Sequence, residues 1–349
     1  SIFIGLLKML LIPLIFSSIV VGVSNLQSGG QLGKVWKITL ACCVTTTTLA
    51  LILGLSCAHL FDVGKGVDIA MFQDAMNTHQ TPDTLTPSSF FTNFIQNTLI
   101  NPFKAFSEGN VLAVVLFALF FGVALVHGGE RFKTVRQLSQ QFFDMMMFMI
   151  IWVMRLAPIG IFALLAKLIS TEDISVLNRL IEFAVVVTGT TIFHGAVVLP
   201  LLLWIFGKMN PLTFCKGARS ALITAFATSS SSATMPLSMK CAQENLGVRP
   251  AAAGFVIPLG TQLNMDGTAL YEAAAALFMA NLMGLDLTIG QQLIVCMPAM
   301  IASLGAPGIP SAGMVTMIMV LQSVGLPAEA IAILLPIDRL LDTVRTVVN

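Results

Sequence analysis

Apolar residues run along this chain in long, nearly unbroken blocks, without the regular polar positions that mark a helix half exposed to water. Residues 2 to 23, 36 to 60, 89 to 126, 138 to 170, 176 to 207, 251 to 283 and 328 to 349 are long enough to cross a hydrocarbon layer about 30 Å thick, which takes roughly 20 helical residues. The pattern predicts an all-α polytopic membrane protein. Blocks longer than one crossing are expected to tilt, or to break at Asn101 and Pro102 in "NPF" and at Pro158 and Gly160 in "LAPIG", where proline removes a helix hydrogen bond.

Two more apolar blocks are interrupted. "SALITAFATSSSSATMPLSMKCA" is cut near its middle by Ser229 to Ser232, and "IGQQLIVCMPAMIASLGAPGIPSAGMVTMIMVLQSV" by a glycine- and proline-rich run. Each half is too short to cross. The connections carrying Lys34 and Lys37, then Arg131, Lys133 and Arg136, then Lys208, Lys216 and Arg219 are basic. Those with Glu172 and Asp173, Asp286 and Glu329 are acidic, as is the loop 62–88, with Asp62, Asp68, Asp74 and Asp83 against Lys65. The positive-inside rule places the basic group in the cytoplasm. The two groups alternate along the chain only if both interrupted blocks enter the membrane and return to the side they left, the serine block from inside and the other from outside.

Two re-entrant hairpins follow from that alternation. Irregular backbone at membrane depth persists only where protein buries it or a wet cavity hydrates it, and a pair of broken elements entering from opposite sides points to a carrier site between inverted repeats. The serine hydroxyls and freed amides then face a polar ligand. The competing reading is a serine-rich packing patch between helices.

Composition narrows the class. Of 349 residues 56% are hydrophobic and only 10% charged, where a soluble domain carries about 25% charged residues. A net charge of +1 offers no field for nucleic acid. The six cysteines, Cys42, Cys43, Cys57, Cys215, Cys241 and Cys296, lie mostly in apolar runs without metal spacing and read as small packing residues. The block after Ser1 is too long for a signal-peptide core and lacks a cleavage site, so the chain reads as starting inside a larger protein.

Charge inside the last block carries the chemistry. In "IDRLLDTVRTVVN", Asp338, Asp342, Arg345, Thr346 and Asn349 share a helical stripe about 100° wide. An Asp or Arg at the centre of a membrane helix costs roughly 2.5 to 3.5 kcal/mol, so Asp338, Arg339, Asp342 and Arg345 cannot all face lipid. A guanidinium fork suits a carboxylate and a carboxylate suits an ammonium, so Arg345 and Asp342 complement both ends of an acidic amino acid. An internal Asp–Arg pair that fixes helix packing is the alternative. In "GTQLNMDGT", residues 260 to 268, Gly260 and Gly267 let a spanning helix unwind, while Asn264 and Asp266 add hard oxygen ligands suited to a dehydrated monovalent cation. Thr45 to Thr48 form a second oxygen cluster, although membrane threonines often bond back to their own helix.

"SSSSATMP", "NMDGTALYE", "GAPGIPSAG" and "DRLLDTVRTVVN" occur in the order in which the dicarboxylate/amino acid:cation symporter family carries them, and the chain resembles that family over essentially its whole length. The resemblance implies a glutamate-transporter-like fold with inverted repeats and two re-entrant hairpins, assembled as a homotrimer in a plasma membrane, a bacterial inner membrane above all. It implies sodium-coupled uptake of aspartate, glutamate or dicarboxylates by an elevator motion of a transport domain against a scaffold. On that plan 1–61 hold scaffold and transport helices, after a family helix absent before residue 1, and 62–88 an extracellular loop. Residues 89–137 form a scaffold region, 138–207 further helices, 212–246 hairpin 1, 251–283 the unwound helix, 289–326 hairpin 2 and 328–349 the substrate-binding helix, which stops at Asn349 short of a family aspartate that ligates sodium.

The resemblance also implies site residues. Ser231, the carbonyls of Gly308 and Ile309, and Thr268, Asp342, Arg345, Thr346 and Asn349 surround the substrate, with Arg345 on its side-chain carboxylate and Asp342 on its amino group. Sodium binds near Gly260, Asn264 and Asn349; near Thr46, Thr47, Asn264 and Asp266; and through carbonyls at Gln262, Ser303, Leu304 and Ala306. Glu272 stands where mammalian members place a proton-carrying glutamate, so protons can replace or accompany sodium. Relatives keep an arginine at the position of Ser229 or of Thr343, and Arg339 is the candidate to replace it. Alternatives are a proton-coupled C4-dicarboxylate or cystine carrier and, from another class, an intramembrane aspartyl protease. The protease would pair Asp266 with Asp338 or Asp342, which Arg345 disfavours by holding both carboxylates ionised.

Overall fold

A computed structural model describes residues 2–24, 33–65, 99–156, 158–160, 162–163, 166, 174–285, 287–305, 308, 311–323, 326 and 330–349. Regular structure among the described residues is helical. Helices α1 (Ile2–Ser24) and α2 (Gly33–Leu60) match the first two apolar blocks. The third block divides into a short α3 (Pro102–Glu108) and α4 (Val111–Gly128). Pro102 therefore starts a helix, with the Asn101 side chain accepting from the Phe103 amide at 2.9 Å, because proline lacks only an N–H that the first turn could not use. A 3-10 turn, Gly129–Phe132, leads to α5 (Lys133–Arg155), and α4 and α5 both pack on α1.

The block 176–207 holds a feature that periodicity does not reveal. Helix α6 (Ile174–Phe193) widens into a π-turn, His194–Val198, before α7 (Leu199–Gly207). The serine block is two helices, α8 (Pro211–Thr228) and α9 (Ser231–Lys240), packed on each other. Next come α10 (Pro250–Leu263), α11 (Asp266–Leu282), α12 (Ile289–Gly305), α13 (Ala312–Ser323) and α14 (Ile331–Val348). Among the described residues, three stretches, Lys37–Leu60, Ala113–Val153 and Val176–Gly207, are long and apolar enough to cross a membrane.

The core forms around α11, whose residues from Asp266 through Ala280 are buried without interruption. Helices α2, α6, α12, α13 and α14 all pack against it, and alanines at 273 to 276 allow them to approach closely. A helix apolar on every side is covered on every side.

Two sequence expectations need correction. The unwound stretch is only Asn264 and Met265 (φ −129° and −114°), since Gly260 lies inside α10 and Gly267 inside α11. The helix resumes at once because residues outside it satisfy its first amides. The cysteines are all free, but Cys42 and Cys215 are exposed, so they do not pack in the interior; Cys43 and Cys241 do. The acidic positions 68, 74, 83, 172, 173, 286 and 329 lie outside the described residues, as do Ala306 and Ile309.

Candidate cation and substrate site

The run of four serines builds a corner. Ser229 closes α8 in the left-handed region (φ 49°), and Ser230 caps α9 by accepting from the Ala233 amide at 3.2 Å. The corner meets the break between α12 and α13: the Ser230 hydroxyl and the Ser232 amide both donate to the Gly308 carbonyl, each at 2.9 Å. The two interrupted elements thus touch at their tips. Ser231 sits half-buried at this junction, where its Cβ would lie 3.3 Å from a Cβ added at Gly308. The Gly308 carbonyl, expected at the substrate, here holds the two tips together.

At the α10–α11 break, side chains from three parts of the chain converge. The Thr46 hydroxyl lies within reach of three acceptors, Asn264 Oδ1 at 3.3 Å, Asp266 Oδ1 at 3.2 Å and the Cys43 carbonyl of its own helix at 3.2 Å, while Thr47 donates to Asp266 Oδ1 at 2.8 Å and lies 3.5 Å from Asn264 Oδ1. Helical spacing splits the threonine cluster, because Thr45 and Thr48 bond back to Ala41 and Val44 on the opposite face. Asp266 is buried at the first turn of α11, where the helix dipole favours an anion. Two hydroxyls, an amide oxygen and a carboxylate form a hard donor set that fits a monovalent cation. His194, from the π-turn, approaches the same carboxylate at 3.3 Å. No motif in the sequence singles out this histidine; an ionisable residue deep in a spanning block was the available signal.

One residue further, α11 touches the second cluster. The Gly267 and Thr268 amides donate to Asn349 Oδ1 at 2.8 and 3.3 Å, and Asn349 Nδ2 donates to Thr268 Oγ1 at 3.1 Å. Asn349 is therefore the cap of α11, supplied from the end of α14. Glycine at 267 permits the approach, since a Cβ there would stand 2.8 Å from the Arg345 carbonyl.

Arg345 is fully buried, its guanidinium 4.0 Å above the Tyr271 ring. Its Nη2 donates to Asp338 Oδ1 at 2.6 Å and to Asp342 Oδ1 at 3.2 Å. Asp342 Oδ2 accepts from the Ser311 amide at 2.7 Å, and Arg339, half exposed, reaches it at 3.8 Å. The internal pair is thus present, and Asp338 is the nearer partner. It uses only part of the fork: Arg345 Nε and Nη1 have no hydrogen-bond partner among the described residues. Gly313 lets α13 pack closely beside Nη1, as a Cβ there would lie 3.2 Å from both Nη1 and Thr268 Cγ2. Thr346 is buried on the same helix. Buried donors left without a partner point to a functional role for this guanidinium.

The remaining candidates are more scattered. The Gly260 carbonyl accepts from the Asn264 amide at 2.9 Å, and Gln262 Oε1 is buried without a partner among the described residues. Ser303 is buried in α12 with its hydroxyl on the Met300 carbonyl at 2.8 Å, and Leu304 follows it in the helix. Glu272, one turn beyond Thr268, is fully buried; Thr316 donates to its Oε1, while Oε2 has no partner among the described residues.

Buried carboxylates and a guanidinium gathered at a break between packed apolar helices fit a polytopic membrane carrier. The chain matches the profile of the sodium:dicarboxylate symporter family over residues 1–349. It belongs to that family, whose members are symporters and not enzymes. It is 34% identical over 351 residues to the proton/sodium-glutamate symport protein of Geobacillus stearothermophilus, covering 100% of this chain and 83% of the relative. To excitatory amino acid transporter 3 it is 36% identical over 392 residues in Homo sapiens and over 394 in Mus musculus, covering 99% of this chain and 74% of each relative.

Proposed function

We propose that this protein is a secondary active transporter that takes up acidic amino acids, aspartate or glutamate, together with sodium. The observation that carries the reading is the first turn of α11, where consecutive residues hold both clusters: Asp266 meets Thr46 and Thr47, and Gly267 and Thr268 meet Asn349, one turn from Arg345. A cation bound by Asn264, Asp266, Thr46 and Thr47 fixes that turn, and the fixed turn sets the α14 stripe for substrate. Arg345 takes the side-chain carboxylate on its unpaired donors and Asp342 takes the ammonium, which disfavours a pure dicarboxylate. The related symporters, named for glutamate coupled to sodium or protons, support this assignment.

The wider scheme belongs to the same proposal. The α8–α9 and α12–α13 pairs are re-entrant hairpins of an inverted repeat, their tips closing over the substrate. A homotrimer in a bacterial inner membrane moves a transport domain against a scaffold. Further sodium sites use Gly260 with Asn264 and Asn349, and the carbonyls at Gln262, Ser303, Leu304 and Ala306; Glu272 carries a proton.

Purified protein in liposomes tests the coupling directly. Radiolabelled aspartate should accumulate when an inward sodium gradient is imposed at equal pH. Uptake driven by a proton gradient alone, without sodium, would assign the site to a proton-coupled carrier instead.

A further inference from the structure

His194 is fully buried at the start of the π-turn between α6 and α7, and nothing in the transport scheme above requires a histidine there. A π-turn inserts an extra residue into the helix and re-aims the side chains that follow, which is why such turns gather at functional positions. Here it aims an imidazole at a carboxylate. His194 Nε2 lies 3.3 Å from Asp266 Oδ2, while the other carboxylate oxygen, Oδ1, is the one that receives Thr46 and Thr47. The two oxygens of Asp266 are thereby divided, one receiving the two threonine hydroxyls, the other facing the imidazole nitrogen. His194 Nδ1 has no partner among the described residues, so the ring makes one directed contact.

We infer that His194 is a positioning residue for the cation site: its Nε2–H donates to Asp266 Oδ2 and holds the carboxylate plane so that Oδ1 faces the site. The physical reason is geometric. A carboxylate on a two-bond side chain rotates freely about its last bond unless both oxygens are engaged, and a rotated carboxylate presents the wrong edge to a cation that also needs Thr46, Thr47 and Asn264. Groups that orient a ligand from behind typically matter by 10- to 100-fold in metal affinity, without touching the metal. The inference rests on the reading of Asp266 as a cation ligand.

The test measures sodium binding without transport, from the sodium concentration that half-maximally raises the melting temperature of the detergent-purified protein with no substrate added. His194→Leu keeps the bulk and removes the donor, His194→Gln restores an N–H of similar reach, and His194→Asn is too short to reach. The expected result is a sodium midpoint raised about tenfold or more in His194→Leu and His194→Asn, and within a few-fold of wild type in His194→Gln. Equal midpoints in all three variants would overturn the inference, whether all are shifted or none is. If His194→Leu fails to fold, the comparison of Gln with Asn decides alone. Asp266→Asn is run in parallel: an unchanged sodium response there removes the cation-site reading itself. A lost response in Asp266→Asn with a normal one in His194→Leu removes only the role of His194.

Discussion

The two clusters that meet at the first turn of α11 are built on opposite electrostatic plans. Around Asp266 the contacting groups are two hydroxyls and an imidazole, the Asn264 amide oxygen sharing the same hydroxyls, and among the described residues no Lys or Arg reaches it. Around Arg345 the opposite charge is already present twice, in Asp338 and Asp342. A carboxylate without a resident counter-ion draws one from solution, because an unpaired buried charge is costly. A guanidinium with two resident carboxylates binds an anion only through donors they leave over, here Nε and Nη1. Buried Asp266, Glu272, Asp338 and Asp342 outnumber buried Arg345, so on the proposed reading an anionic substrate enters this region with cations. On that reading, coupling follows from the charge balance.

Removing Arg345 should separate the plans most sharply. Arg345→Cys should lose aspartate and glutamate by about 2 to 5 kcal/mol, roughly 30-fold to several thousand-fold, since truncating one partner of a buried charge pair costs that much. Sodium-linked binding of serine or alanine should survive, because Asp342 and Asn349 remain for the backbone groups. Competition against labelled substrate reads the change in ranking. Arg345→Lys controls for folding, since it keeps a charge beside Asp338 and Asp342 but loses the fork.

Asp266→Asn attacks the other plan. Its expected effect is a loss of at least tenfold in the sodium dependence of substrate binding, with the order of preferred substrates unchanged. A titration with unaltered sodium dependence would place the cation elsewhere.

Smaller effects sharpen the geometry. Gly313→Ala puts a methyl 3.2 Å from Arg345 Nη1, and should weaken aspartate binding several-fold, at roughly 1 kcal/mol for a crowded contact. Gly189→Ala, whose added methyl has no neighbour within 4 Å, should be silent in the same assay. Least is expected on binding from Glu272→Gln. That change should leave equilibrium binding nearly intact yet flatten the pH dependence of net uptake, measured from pH 5 to 9; an unaltered profile returns Glu272 to a structural role with Thr316.

How much of this was legible in the sequence depends on whether the signal was local. Apolar blocks located the ends of α1, α2 and α14 to within three residues, because a spanning helix needs an uninterrupted stretch. The stripe on α14 was readable from 3.6-residue spacing alone. The meeting of Thr46 and Thr47 with Asp266, more than 200 residues away, came from family resemblance, since no periodicity in α2 points at α11. Asn349 as the cap of α11, Tyr271 under Arg345 and the Ser230–Gly308 junction were not legible: each depends on how helices dock. The π-turn was hidden too, because a single extra residue per turn leaves the hydrophobic pattern of 176–207 unchanged.

The central claim is that the Asp266 cluster and the Arg345 stripe act as one coupled site through the first turn of α11. Binding linkage measures it directly: aspartate affinity as a function of sodium, and sodium affinity as a function of aspartate, on the same purified protein by calorimetry. The account predicts that each ligand raises the affinity of the other by the same factor, at least tenfold, as thermodynamic reciprocity requires of coupled sites. Aspartate affinity that stays constant from low to saturating sodium would contradict it.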